Sequence, residues 1–300
     1  MCDAERKSLY KTFITASSLA EWVGDTTGLS VAWLNKSASL HEAINMYCWD
    51  SAFGAFGDSA GVTDLHPQDA NSMAILFGVT APTSNQSQSI STYLPKNWNA
   101  IGAVSPELPE NIVSFISSLE IQAHFTAGQT ARGLELIRRS WGWYLNNPNG
   151  TQSTVIEGYL ANGTFGYRFN KGYKDASYTS HSHGWSSGPT SALTEFVLGL
   201  SITGRLGSTW SLKPQFGDLN RVEGGFTTKM GKFSAGWVVS SWGYEVVVNT
   251  PGGTSGEVLL PAWSGSKSTV LVNGAVVEFV FEDGGLKTTL AGGSHKIVVT

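Results

Sequence analysis

Glu157 is the residue whose neighbours best suit it to act as an acid or a base. In the run Ser153 to Gly158 it follows Val155 and Ile156, precedes a glycine and has few charges nearby. A carboxyl in apolar surroundings exchanges its proton closer to neutral pH than a solvated one, which suits general acid–base work. The competing reading is a loop carboxylate facing water, the commoner fate of an acid between elements. Around it, residues 141–190 gather Trp141, Trp143, Tyr144, Tyr159, Tyr167, Tyr173, Tyr178, His181, His183 and Trp185. Indole and phenol rings present flat apolar faces with a polar edge, and imidazole exchanges hydrogen bonds with hydroxyls. That mixture suits an uncharged polyhydroxylated ligand. His183 and Trp185 are the candidate contacts, with His181 and Trp141 beside them. A second aromatic and acidic patch, Tyr47 to Asp50 with Phe53, Phe56 and Asp58, offers Trp49 and Asp50 as further contacts. There the alternative is that Trp49 caps a helical core and Asp50 starts a turn.

Other chemistries find less support. His181 and His183 could share a metal if they lay on a strand, but no nearby Cys or carboxylate completes a tetrahedral set. Ser186 and Ser187 lack the G-x-S-x-G frame of a hydrolase serine. The glycine pairs at 224–225, 252–253 and 292–293 precede no helix, so they mark turns rather than phosphate loops. The expectation is no metal and no cofactor.

Two kinds of element must position these residues. Up to about residue 201, apolar residues recur at helical spacing; beyond it they alternate or form short β-branched blocks between glycines. Ser39 to Glu42 has the form of a capping box, Pro67 suits a helix start with Gly78 ending it, and Pro109 opens another helix. Residues 129–146 and a run from Pro189 complete the clear helices, with two more near 13–23 and 84–94. About forty residues between Asn146 and Pro189 show little helical pattern, and long unstructured connections of that kind are often functional. In the last part, the blocks starting at Gly236, Tyr244, Glu257, Ser268, Val276 and Lys296 are strand candidates, and Asn273-Gly274 is a type I′ hairpin signal. Asp283-Gly-Gly and Gly292-Gly293 mark further turns. Trp237 and Trp242 are expected in the core of an antiparallel sandwich.

Composition narrows the ligand class. The 300 residues include 11 Trp, 9 Tyr and 14 Phe, yet only 14% are charged, and the formal net charge is −4 with no basic run. That argues against nucleic acid or an anionic membrane surface as the main partner. No stretch approaches the roughly 18 apolar residues of a spanning helix. Cys2 and Cys48 do not make a disulfide framework, and the charged N-terminus has no apolar signal region. Four Asn-x-Ser/Thr sequons stand at Asn35, Asn85, Asn149 and Asn162, a hint of secretion.

With these residues in view, the sequence resembles the C-terminal half of the α-L-rhamnosidases of glycoside hydrolase family 78, fungal-type members in particular. The resemblance is carried by Leu65 to Ala74, Ser153 to Glu157, His183 to Pro189 with Leu193 to Gly199, and Gly252 to Pro261, in the family's order. It implies the C-terminal part of an (α/α)6 six-hairpin barrel over residues 1–203, then an antiparallel β-sandwich over 204–300. It also implies hydrolysis of terminal α-L-rhamnosyl bonds with inversion. Glu157 takes the place of the family's general base, with Ile156 where Trp is common, and His183 matches a sugar-contacting His.

The family's general acid lies in an upstream Asp-x-x-Arg-Asp-Glu-Arg-like motif that this sequence does not match, and six or seven helices make half a twelve-helix barrel. The expected ligand is therefore a rhamnose-containing carbohydrate or glycoside, bound by part of a longer enzyme that is extracellular in full-length relatives. Apolar faces of a half barrel would favour association. The alternatives are a non-catalytic, carbohydrate-binding remnant, or a related enzyme acting on an acidic sugar. The low charge and the lack of an Arg cluster speak against the last.

Overall fold

A computed structural model describes residues 4–264, 268–282 and 284–300, and the chain forms two compact units, Met1–Pro189 and Thr190–Thr300.

The first unit opens with two long helices, α1 (Ala4–Trp22) and α2 (Leu29–Cys48). They lie against each other near their joining turn, where the Ser17 and Ser30 hydroxyls meet at 2.8 Å and Ser30 donates to Glu21 at 2.9 Å. Helix α2 begins where Gly28 takes a left-handed φ of 87° and Asp25 accepts the Leu29 N–H at 3.2 Å. The expected capping box at Ser39 is therefore mid-helix, and its hydroxyl turns back to the Asn35 carbonyl at 3.2 Å. The helix has already begun ten residues before Ser39, with Asp25 taking the Leu29 N–H, so the N–H groups after Ser39 bond within the helix and need no cap. Cys48, at the helix end, is disulfide-bonded; Cys2, the other cysteine of the sequence, lies outside the described residues.

Strands β1 (Trp49–Asp50) and β2 (Ala55–Phe56) pair antiparallel and lead to α3 (Gln68–Leu76) and α4 (Asn85–Tyr93). Helix α3 follows Pro67 and gives way to Gly78 at φ 81°, as its punctuation predicts. Ile44, Phe56, Ala74, Ile75, Ile90 and Leu94 close a core between these helices. Two short strands, β3 (Trp98–Asn99) and β4 (Gly102–Ala103), precede β5 (Asn111–Val113) and α5 (Ser114–Thr126). The helix expected to open at Pro109 thus starts five residues later, because residues 111–113 are taken into a sheet. Helix α6 (Thr130–Ile137) continues through a π-helical turn, Arg138–Gly142, into α7 (Trp143–Leu145). The long connection that follows holds one strand, β6 (Gly158–Leu160), paired antiparallel with β5, and otherwise turns and single helical turns.

Helix α8 (Gly188–Ala192) passes into a π-helical turn, Leu193–Val197. That turn, predicted with the helices, packs with the sheets: the Trp237 indole donates to the Val197 carbonyl at 3.0 Å.

The second unit's strands are β7 (Leu200–Ile202), β8 (Thr209–Leu212), β9 (Arg221–Thr228), β10 (Gly231–Ser240), β11 (Gly243–Asn249), β12 (Ser255–Pro261), β13 (Val270–Val272), β14 (Ala275–Val276), β15 (Val280–Glu282), β16 (Gly285–Ala291) and β17 (Ser294–Val299). They form a six-stranded sheet, β14-β13-β17-β11-β10-β9, and a five-stranded sheet, β15-β16-β12-β8-β7. All neighbours are antiparallel except β8 and β12, which run parallel. Trp210, Phe233, Trp237, Tyr244, Val258 and Leu260 are buried within it, and the Tyr244 hydroxyl of one sheet donates to the Pro261 carbonyl of the other. Asn273 and Gly274 both take positive φ, 52° and 84°, and turn β13 into β14 as a type I′ hairpin requires. The turn expected at Asp283 begins on a residue outside the described ones. Trp242 corrects an expectation: it sits in the turn between β10 and β11 and is 55% exposed, because the core-facing register runs through Trp237 and Tyr244. No helix is long and apolar enough to cross a membrane among the described residues.

Candidate active site

Glu157 stands one residue before β6 and is tied down on three sides. Its carbonyl accepts the N–H of Ser114, the first residue of α5, at 3.3 Å, and its N–H donates to the Ser180 carbonyl at 2.8 Å. The side chain is held at both oxygens: Tyr173 donates its hydroxyl to Oε1 at 2.6 Å and Ser180 its backbone N–H to Oε2 at 3.2 Å. The Tyr173 phenol is in turn harder to ionise than usual, first because it donates to Glu157. Tyr173 sits edge-on to Tyr167 at 5.8 Å, with the Arg168 guanidinium 5.9 Å from its ring centre.

Packing below the carboxylate explains the sequence around it. Ile156 is buried with Ile112, Tyr144 and Tyr159, and Trp143 and Phe165 close the cluster. A Cβ on Gly158 would lie 2.6 Å from the Tyr167 ring and 2.8 Å from the Ile112 carbonyl oxygen, so only glycine lets β6 pass there. The apolar pair before Glu157 and the glycine after it therefore anchor the strand and leave the carboxylate half-buried at its edge.

The other predicted contacts divide. The His183 N–H donates to the Val155 carbonyl at 2.9 Å, which keeps residues 180–183 alongside 155–157. Trp185 is 71% exposed and touches Phe115 of α5 edge to face at 5.6 Å, so a broad indole face is open to solvent. His181 instead turns inward: its Nδ1 pairs with the Tyr144 hydroxyl at 2.9 Å, its ring meets the Phe165 edge, and its carbonyl accepts the Thr154 hydroxyl. Trp141 is 7% exposed and donates its indole N–H to the Ser186 carbonyl at 2.8 Å. It supports the turn that carries Trp185, and its own ring is not presented to a ligand. Trp49 packs on Phe56 at 5.1 Å, and Asp50 accepts from Ala52, Phe53 and His66. The Phe53 N–H holds its carboxyl below the usual carboxylate range, with His66 and Ala52 adding to it. These two residues serve a helix end and a turn, in a cluster of their own.

A second polar group went unread in the sequence. Glu120 of α5 is fully buried and accepts from Gln68 and from the Trp98 indole, each at 2.6 Å. His124, one turn on, lies 3.4 Å from the same carboxylate and shares a 2.7 Å bond with Ser91. Glu107 accepts the N–H groups of Gln68 and Asp69 at the start of α3, at 2.9 and 3.2 Å. Burial, and then the charge of Asp69, push its pKa up to about 7. The i, i+4 spacing of Glu120 and His124 was the available signal; their partners are distant in sequence.

No family model and no curated protein matches the chain. Solved structures do. The Streptomyces avermitilis α-L-rhamnosidase complexed with L-rhamnose superposes with a TM-score of 0.73 at 15% identity, over 98% of this chain and 26% of that one. The chain has the fold of one part of that structure. The native α-L-rhamnosidase of Aspergillus terreus matches with a TM-score of 0.66 at 17% identity, over 93% of this chain and 28% of its own. The GH78 rhamnosidase of Bacillus sp. GL1 gives 0.62 at 23% identity, over 83% and 26%. The chain thus spans a quarter to a third of the length of the structures it matches.

Proposed function

We propose that this chain is the C-terminal part of a glycoside hydrolase that releases terminal α-L-rhamnosyl groups with inversion, and that Glu157 is its general base. In this reading residues 1–203 are part of an (α/α)6 barrel and 204–300 its β-sandwich. The observation that carries the proposal is Glu157 itself: a half-buried carboxylate at a strand edge, held at both oxygens by Tyr173 and Ser180, within a chain that superposes almost end to end on rhamnosidase structures. Inversion sets a base and an acid about 6.5–9.5 Å apart, with room for one water between base and sugar. Glu157 would take a proton from that water as it attacks the anomeric carbon, while an acid from the upstream half protonates the leaving oxygen. His183 and the Trp185 face would bind the sugar's hydroxyls and its C–H face.

The test is an aryl α-L-rhamnoside assay on the chain joined to whatever segment its gene encodes in frame upstream, with the first-formed anomer followed by NMR. Glu157→Gln should lower kcat by about 10²–10⁴-fold with KM little changed. Equal activity in wild type and variant would remove Glu157 from the mechanism. The 300-residue chain alone, which carries no match to the family's acid motif, should release no rhamnose. A second reading, a carbohydrate-binding remnant, is favoured by the exposed Trp185 face alone; it requires rhamnose binding by the chain and no activity in the longer form.

A further inference from the structure

Four sequons in one chain pose a question that the hydrolase reading leaves aside, and their local structures are not alike. Asn35 lies within α2, and the Ser37 hydroxyl is buried and turned to the Leu34 carbonyl at 2.8 Å. Asn85 opens α4, and the Ser87 hydroxyl is buried between Thr80 and the Ala81 carbonyl. At Asn149 the Thr151 hydroxyl is engaged with Thr154. In these three the hydroxyl that makes a sequon is committed elsewhere.

Asn162 differs. It is exposed at the tip of the turn that follows β6, a turn closed by Leu160 donating to Thr164 at 2.9 Å and Gly163 donating to Leu160 at 2.8 Å. Its Oδ1 accepts both the N–H of Thr164 at 3.0 Å and the Thr164 hydroxyl at 2.8 Å. This is an Asx turn, which Asn, Gly and Thr form locally without help from distant chain. Gly163 supplies the positive φ of 86° that the turn needs. Among the described residues, the Asn162 Nδ2 has no hydrogen-bond partner, and the residue is exposed.

An independent observation bears on the compartment. Cys48 is disulfide-bonded, and disulfides persist in the oxidising spaces through which secreted proteins pass.

We infer that Asn162 is an N-glycosylation site and that the chain matures in an oxidising secretory compartment. The donor is a lipid-linked oligosaccharide pyrophosphate. Its anomeric C–O bond breaks, a bond from that carbon to the Asn162 Nδ2 forms, the lipid pyrophosphate leaves and the amide gives up one proton. The turn brings the acceptor amide and the Thr164 hydroxyl together before transfer, and the exposed tip leaves room for the glycan after folding.

The experiment uses the protein isolated from the cells that make it. It is digested, treated with peptide-N-glycosidase in heavy-oxygen water, and sequenced by mass spectrometry with and without reduction. The expected result is a labelled Asp at 162, unlabelled Asn35, and Cys48 alkylated only after reduction. Unmodified Asn162 would overturn the glycan, and Cys48 alkylated without reduction would overturn the oxidising route. Neither result bears on Glu157, so failure here and failure of the hydrolase reading are told apart.

Discussion

The bond between Tyr173 and Glu157 makes each residue a reporter on the other. Because Glu157 is the first cause of the raised Tyr173 ionisation, Glu157→Gln should bring that phenol back down toward its ordinary range. Ultraviolet difference titration of the wild type, Glu157→Gln and Tyr173→Phe isolates the one tyrosine that moves. A Tyr173 titration unchanged by Glu157→Gln would mean that the contact does not form in solution. This partnership was not legible in the sequence. Val155 and Ile156 before the acid and Gly158 after it made Glu157 a candidate beside the reading of a solvated loop acid, since those features are local. Tyr173 and Ser180 lie sixteen and twenty-three residues away across a segment without periodicity, and no spacing rule connects them.

Among the elements, α3 depends on one acid for its start. Pro67 has no N–H to give, and Glu107 takes the first two that follow it. Glu107 titrates near 7 when folded and near 4.5 when unfolded, so the folded state holds the extra proton between those values. Stability should therefore be highest at the acid end of that window and fall as pH rises through it, by roughly 1–3 kcal/mol. Urea unfolding of the wild type against Glu107→Gln, from pH 4.5 to 7.5, should show the slope in the first and flatten it in the second. A slope that persists in the variant assigns it to another group. Elements with local punctuation were legible: α3 between Pro67 and Gly78, and the hairpin at Asn273-Gly274 with both residues at positive φ. Elements whose limits come from partners were not. Pro109 looks like a helix start only until β6 claims residues 111–113, and Ser39 looks like a cap only until α2 is seen to begin ten residues earlier, at Leu29.

For the whole molecule, the first unit's opening helices leave several large apolar side chains exposed. Trp22, Val23, Val31, Leu34, Met46 and Tyr47, all on α1, α2 or the turn joining them, are between 44% and 79% exposed. Patches of that kind mark surfaces that some partner covers. The chain should therefore self-associate as its concentration rises, and Val31→Lys with Met46→Lys should return it to a monomer in sedimentation velocity. A wild-type chain that stays monomeric at every concentration would show that these helices need no cover. The switch from helical to alternating apolar spacing told of helices followed by sheets, because that periodicity is a property of each segment alone. The parallel pairing of β8 with β12 was not foreseeable, since it joins strands more than forty residues apart.

The last strands hold an unusual place. β17 lies between β13 and β11 inside the six-stranded sheet, and β16 lies between β15 and β12 in the other. A ribosome has made every other strand of this unit before either sheet can close. Until then β11 and β12 each wait with an unpaired side, and the nascent β unit is a set of open edges. Loss of residues 285–300 would remove β16 and β17 together, leaving two broken sheets in place of one shortened one.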